Sequence, residues 1–180
     1  MKFSNMLKIN FAKFSSLILL LALTIVFNFT ACCSYSFTGA SVPKHLNTIA
    51  IPIADDKSGS AEIGLRESLT QKLIQKFIDD NSLQVADRVN ADAILECTIV
   101  SFNDAPAIVA AGENVTSRRI TIGVRASYRD LVKKITVYDK TFSSYEDYPQ
   151  GGSLSDRNNA IEKVLDKLTE DILLETVSGW

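Results

Sequence analysis

Six bases fall within residues 118–134 of this 180-residue chain: Arg118, Arg119, Arg125, Arg129, Lys133 and Lys134. Arginine grips phosphate through two parallel N–H bonds and lysine adds a point charge, so the cluster is a candidate for holding a phosphorylated ligand. The competing reading is a solvated sheet face with charged strand ends. Just upstream, Asn103 to Ser117 is read as a fifteen-residue connection containing Ala105-Pro-Ala-Ile-Val-Ala-Ala111. Loops of that length usually bind something or are disordered. An apolar one in water marks a contact surface, and Pro106, Ile108 and Val109 are its candidate contact residues. The alternative is a loop folded back on its own core.

Catalytic constellations are not legible. There is no G-x-S-x-G and no G-x-x-x-x-G-K-[ST], the spacings that expose a nucleophile or cradle a phosphate. The one histidine, His45, follows closely on Pro43 and reads as a solvated loop residue. Asp55-Asp56 and Asp79-Asp80 fall at helix boundaries, where acids serve as caps and surface charge. Without a Cys-x-x-Cys or a second histidine, no metal or cofactor is expected. Cys97 lies in an apolar strand pattern and reads as a small core residue, with a Cys33–Cys97 disulfide as the open alternative. The chain is expected not to be an enzyme.

The elements that would position these residues follow from periodicity. Ile49, Ile51 and Ile53 alternate in a strand that Pro52 puts at an edge or ends. Ser60 can cap a helix with Glu62 in its first turn, and Leu65, Leu69, Leu73, Ile74 and Phe77 form its apolar stripe. Asp79 to Ser82 stops it. A weak strand is possible at Leu83 to Val85. Three strands are read at 93–102, 119–128 and 135–145. The second alternates Ile120, Ile122, Val124, Ala126 and Tyr128 against polar neighbours. The third changes face between Val137 and Phe142, which a β-bulge near Asp139 would reconcile. A last helix, from about Ser155 to Thr176, buries Ile161, Val164, Leu165, Leu168 and Ile172. The expected fold is α+β, order β-α-β-β-β-α, with two helices on one face of a four-stranded mixed sheet. Its first crossover would join parallel neighbours.

The N-terminus carries Lys2, Lys8 and Lys13, then an apolar run from Phe14 to Phe27 ended by Asn28. Positive flank, apolar centre and small residues before a cut site are the parts of a secretory signal peptide. A membrane span needs about 20 apolar residues. Phe29-Thr-Ala-Cys32 resembles the lipobox of bacterial lipoproteins, so Cys32 is the expected lipidation site and the link to a membrane. Residues 1–31 then form the leader, 32–46 the anchor and linker, and 47–180 the domain. The part after the leader has 16 bases against 21 acids, a net charge of −5. General binding to nucleic acid, which wants a basic footprint, is disfavoured.

Taken with Cys32-Cys-Ser-Tyr-Ser-Phe-Thr-Gly-Ala40, Arg119-Ile-Thr-Ile122, Phe142-Ser-Ser-Tyr-Glu-Asp-Tyr148 and an acidic final helix ending at Trp180, the chain resembles the LptE family of lipopolysaccharide-assembly lipoproteins, in its Bacteroidetes and Chlorobi-type form. The resemblance implies a two-helix, four-stranded domain facing the periplasm. It would be lipid-anchored in the outer membrane, since neither Cys33 nor Ser34 is an aspartate at the sorting position. It also implies a partner, an LptD-like β-barrel that the domain plugs, and a ligand, lipopolysaccharide. On that basis Arg118, Arg119, Arg125, Lys133 and Lys134 would meet lipid A phosphates, and the 103–117 connection would enter the barrel. The rival expectation is an auxiliary lipoprotein of an ABC-transporter or curli-secretion type complex.

Overall fold

A computed structural model describes residues 42–60, 62–107 and 117–178. Its frame is set by the strand whose alternation is cleanest. β5 (Ser117–Asp130) buries Ile120, Ile122, Val124, Ala126 and Tyr128 at 0% exposure on one face. It pairs antiparallel with β4 (Ala93–Pro106) on one side and β6 (Ile135–Pro149) on the other. On β4's far side lies β1 (Thr48–Ala50), parallel, with Ile49 beside Ala93. Between β1 and β4 the chain crosses over through the helix α1 (Leu65–Asp80). A second helix, α2 (Leu154–Ser178), follows β6.

The mixed sheet and the two helices agree with expectation, but among the described residues the strands number six rather than four. The extra two are β2 (Asp55–Asp56), parallel to Thr98–Ile99 of β4, and β3 (Gln84–Val85), parallel to Thr48–Ile49. β3 falls within the weak strand read at Leu83 to Val85, whereas β2, two residues long, is too short to carry an alternation that a sequence reading can detect. The pairing of β1 ends at Ala50, short of Pro52, which cannot donate to a ladder.

Both helices contribute their stripes to one core with the sheet. Leu69, Leu73 and Phe77 of α1 meet Val164, Leu165, Leu168 and Ile172 of α2, all at 0% exposure. Outside that core, Lys72 bridges to Glu162 and Asp166, and Lys76 to Glu170. Ser60 is not the cap of α1: its hydroxyl accepts from Ser58, and the helix starts after Gly64, which sits at φ 80°. Glu62 reaches Arg157 of α2 instead. At the other end Asn81 turns left-handed at φ 57° and donates its N–H to the Phe77 carbonyl, an αL termination.

Two bulges tune the sheet. In β6 the register slips between the pairs Tyr128–Tyr138 and Arg129–Thr136, so Val137 is the extra residue, two positions before Asp139. Beyond it Tyr138 and Tyr148 turn to the core, while Ile135 stays half exposed. In β4 the extra residue is Val100, facing Gly123. A Cβ on Gly123 would stand 2.5 Å from the Ser101 hydroxyl, so glycine admits the bulged strand. The connection read at 103–117 is also shorter than expected. Asn103 to Pro106 continue β4, Pro106 pairs with Arg118, and Ala107 donates to the Ser117 carbonyl at 3.0 Å.

Candidate functional site

The face of the sheet turned away from the helices carries Arg119, Arg125 and Arg129, and each has a carboxylate. Arg119 forks onto Asp147 at 2.7 and 2.9 Å and lies 4.0 Å over the Tyr145 ring. Arg125 forks onto Asp139 at 2.6 Å through both nitrogens. Arg129 meets Glu96 at 2.8 Å. These are cross-strand pairs, with Arg119 opposite Asp147 in the ladder. The hydrogen bonds from Arg119 and Arg125 hold the carboxyls of Asp147 and Asp139 below the usual carboxylate range. Being largely solvated, such pairs contribute little stability. A groove of about 460 Å³ opens on this face between Ile53, Arg88, Glu96, Arg125 and Asp139.

Arg118 points the other way and belongs to a different cluster. Its Nε donates to Asp104 at 2.9 Å, and the Tyr148 hydroxyl donates to the same carboxylate at 2.9 Å. Arg157 of α2 adds Nε at 3.1 Å and clamps Glu62 through both terminal nitrogens at 3.1 and 2.7 Å. Partial burial opposes charge on Asp104, yet the bonds from Tyr148, Arg157 and Arg118 prevail and keep its carboxyl below the usual carboxylate range. The cluster therefore ties β4, β5, β6 and α2 to one another and to Glu62, in the segment that precedes α1. The sequence reading missed it because Asp104 was read as loop.

A carboxyl whose folded value is depressed contributes stability that is fully present above its unfolded value and lost as pH falls through the folded one. Acid unfolding followed by circular dichroism should therefore show an Asp104→Asn variant that is already about 1–3 kcal/mol less stable at neutral pH, because three donors lose their anion. Its stability should also fall less steeply below about pH 4. A variant with the parental acid limb would remove Asp104 from the account.

Lys133 and Lys134 lie in the four-residue β5–β6 turn, at the opposite end of β5 from Arg118. At about 3.3 Å per residue the separation is roughly 40 Å, so the five bases do not form one site. Here His45 departs from expectation: its Nε2 lies 2.6 Å from Asp130, whose side chain is fully buried. Burial raises the Asp130 carboxyl, but the bonds from His45 and the Lys133 N–H outweigh it and leave it lowered. Asp92 beside it accepts from the Asn47 and Thr48 N–H groups at 2.9 and 3.0 Å. Leu46 is buried and Val42 packs against the core.

Of the remaining candidates, Cys97 is buried, and burial pushes its thiol up to about 12, an inert core residue. Pro106 is exposed at the end of β4. Ile108, Val109, Cys33 and the lipidation candidate Cys32 lie outside the described residues.

Comparison with known proteins gives a family and a fold. The LptE model, described as lipopolysaccharide-assembly, matches residues 46–176. No curated protein matches the chain. Among solved structures, protein XCC0632 from Xanthomonas campestris aligns with a TM-score of 0.58 at 14% identity, covering 77% of this chain and 90% of that one. The hypothetical protein CT253 from Chlamydia trachomatis aligns at 0.56 and 10% identity, over 75% and 99% respectively. A PelC dodecamer from Paraburkholderia phytofirmans aligns at 0.53 and 12%, over 78% and 96%. At these identities the likeness is one of fold.

Proposed function

Since the chain belongs to the LptE family of lipopolysaccharide-assembly proteins, we propose that it is an outer-membrane lipoprotein held by lipid on Cys32. In this reading it supports an LptD-like β-barrel as its plug and assists delivery of lipopolysaccharide to the outer leaflet. The supporting observation is that the family match spans every described strand and nearly all of α2. The dimensions suit the role. β4, β5 and β6 run 14, 14 and 15 residues, about 45 Å at the usual rise, which exceeds the roughly 30 Å of bilayer hydrocarbon that a barrel lumen crosses. The role involves no bond-making, and the family is not an enzymatic one.

For lipid A phosphates the open face offers the better geometry. Arg119 and Arg125 already present their forks to carboxylates, and a phosphate has the same bidentate demand. Binding would exchange Asp147 and Asp139 for the ligand. Arg118, fixed by Asp104 and Tyr148, is a structural residue in this scheme.

The test is affinity isolation of the full chain from detergent-solubilised envelopes. A large β-barrel protein should come with it, and depletion of the chain should reduce both folded barrel and surface lipopolysaccharide. Recovery of an inner-membrane ATPase complex instead would overturn the plug reading. In the same preparation, joint Arg119→Glu and Arg125→Glu substitutions should weaken lipopolysaccharide binding by about tenfold or more.

A further inference from the structure

Most bases of this domain are matched to a carboxylate; among the described residues, those that are not include Arg66, which donates to the Ala54 carbonyl, and the exposed Lys57 just after β2. Arg118, Arg119, Arg125, Arg129 and Arg157 are each matched to a carboxylate. Lys44, Lys133 and Lys134 are exposed, and among the described residues they form no ion pair. All three sit at one end, where the chain enters the domain. The acids closest by already have partners: buried Asp130 is taken by His45 and the Lys133 N–H, and half-buried Asp92 by Asn47 and Thr48. Asp87 is the exposed acid nearby.

The same end shows apolar side chains to water. Val89 is 93% exposed, Val132 55% and Ile135 50%. Val132 and Ile135 flank the two lysines in the β5–β6 turn. The Thr48 hydroxyl donates to the Asn90 carbonyl, and the Leu131 N–H to the Asp92 carbonyl, so the turn holding Val89 and the β5–β6 turn are fixed to one another. Apolar side chains interleaved with unpaired lysines are what a bilayer interface accepts: hydrocarbon below, phosphate beside.

We propose that the β5–β6 turn, with Val89 and Lys44 beside it, is a contact surface for an anionic phospholipid bilayer. The inference rests on the reading that Cys32 is lipidated. Nine residues lie between Cys32 and Val42, ten steps along the chain and a reach of at most about 35 Å. The His45–Asp130 bond then ties the incoming chain directly to the base of the turn. A tether that short keeps this end near the headgroups, where each lysine is attracted to an anionic surface. The surface would orient the domain, leaving the opposite end, with Asp104 and the β4–β5 hairpin, directed away from the leaflet.

The experiment uses the full lipidated chain in vesicles of phosphatidylethanolamine and phosphatidylglycerol with brominated acyl chains. Val132→Trp is placed in a Trp180→Phe background, and Ser143→Trp, on the open face, serves as control. The tryptophan at position 132 should lose about half its emission to bromine quenching, as expected of an interfacial side chain, whereas the control should keep its emission. Lys133→Glu with Lys134→Glu, or added salt, should abolish the quenching while the chain still floats with the vesicles. Floating without quenching at position 132 would overturn the contact surface and leave the lipid anchor standing. A chain that does not float overturns the anchor, and the contact surface with it.

Discussion

Cys32→Ala should abolish palmitate incorporation and move the chain from the membrane pellet to the soluble fraction. The expectation is quantitative. Each buried methylene contributes about 0.8 kcal/mol, a single myristoyl-length chain gives only marginal, reversible binding, and two or more chains hold a protein stably. Removing the acyl chains should therefore lower the membrane-bound share by about a hundredfold or more. The lysines of the β5–β6 turn cannot substitute, since a few exposed bases supply only reversible, salt-sensitive attraction. Labelled palmitate and sedimentation read the two effects separately. Label that persists in Cys32→Ala would move the site to Cys33, and label absent from the parental chain would remove the anchor altogether.

Leu69→Ala should cost about 2–5 kcal/mol, out of a total that for a domain of this size is on the order of 5–15 kcal/mol. Leu69 is at 0% exposure in the middle of α1, inside the core that this helix shares with α2 and the sheet. Its removal loses the transfer term and leaves a cavity that two packed layers close poorly. Urea titration should show a lower midpoint at unchanged slope, and the melting temperature should drop by roughly 10 °C. Ile63→Ala, at a side chain 98% exposed two residues before α1, should leave both within error. A Leu69 variant as stable as the parent would mean that the helix–sheet contact is not where the stability resides.

How much of this was legible in the chain depended on the range of each signal. β5 could be read because five apolar residues alternate over nine positions and the sheet buries one face. The stripes of both helices were legible for the same reason. β2 had no pattern to offer, and β3 only the weak one read at Leu83 to Val85. Asn103 to Pro106 were misread because the run from Ala105 to Ala111 is rich in alanine and contains Pro106, which resembles a loop, whereas the strand character comes from Arg118 and Arg119 pairing back across the hairpin. Proline is admissible there because it occupies the last position of the strand. The base cluster looked coherent because sequence distance was taken for spatial distance. An extended strand separates its ends by tens of ångströms and sends alternate side chains to opposite faces, so Arg118 and Arg119 part company at once. The partners of His45 and Arg157 lie 85 and 53 or more residues away, and nothing local announces them.

The parallel pairing of β1 with β4 has a kinetic corollary. Ile49 and Ala50 align with Ala93 and Ile94, so a chain emerging from its N-terminus presents Thr48-Ile-Ala-Ile-Pro-Ile53 more than forty residues before the strand that receives it. Closing so distant a contact is slow compared with forming the β4–β5–β6 meander, whose paired strands are consecutive in the chain. The meander and α2 should consequently assemble first, with β1 added last as the closing seam. Until then a greasy, ladder-competent strand stays open to the wrong mate, and that interval is when a holding chaperone would matter most.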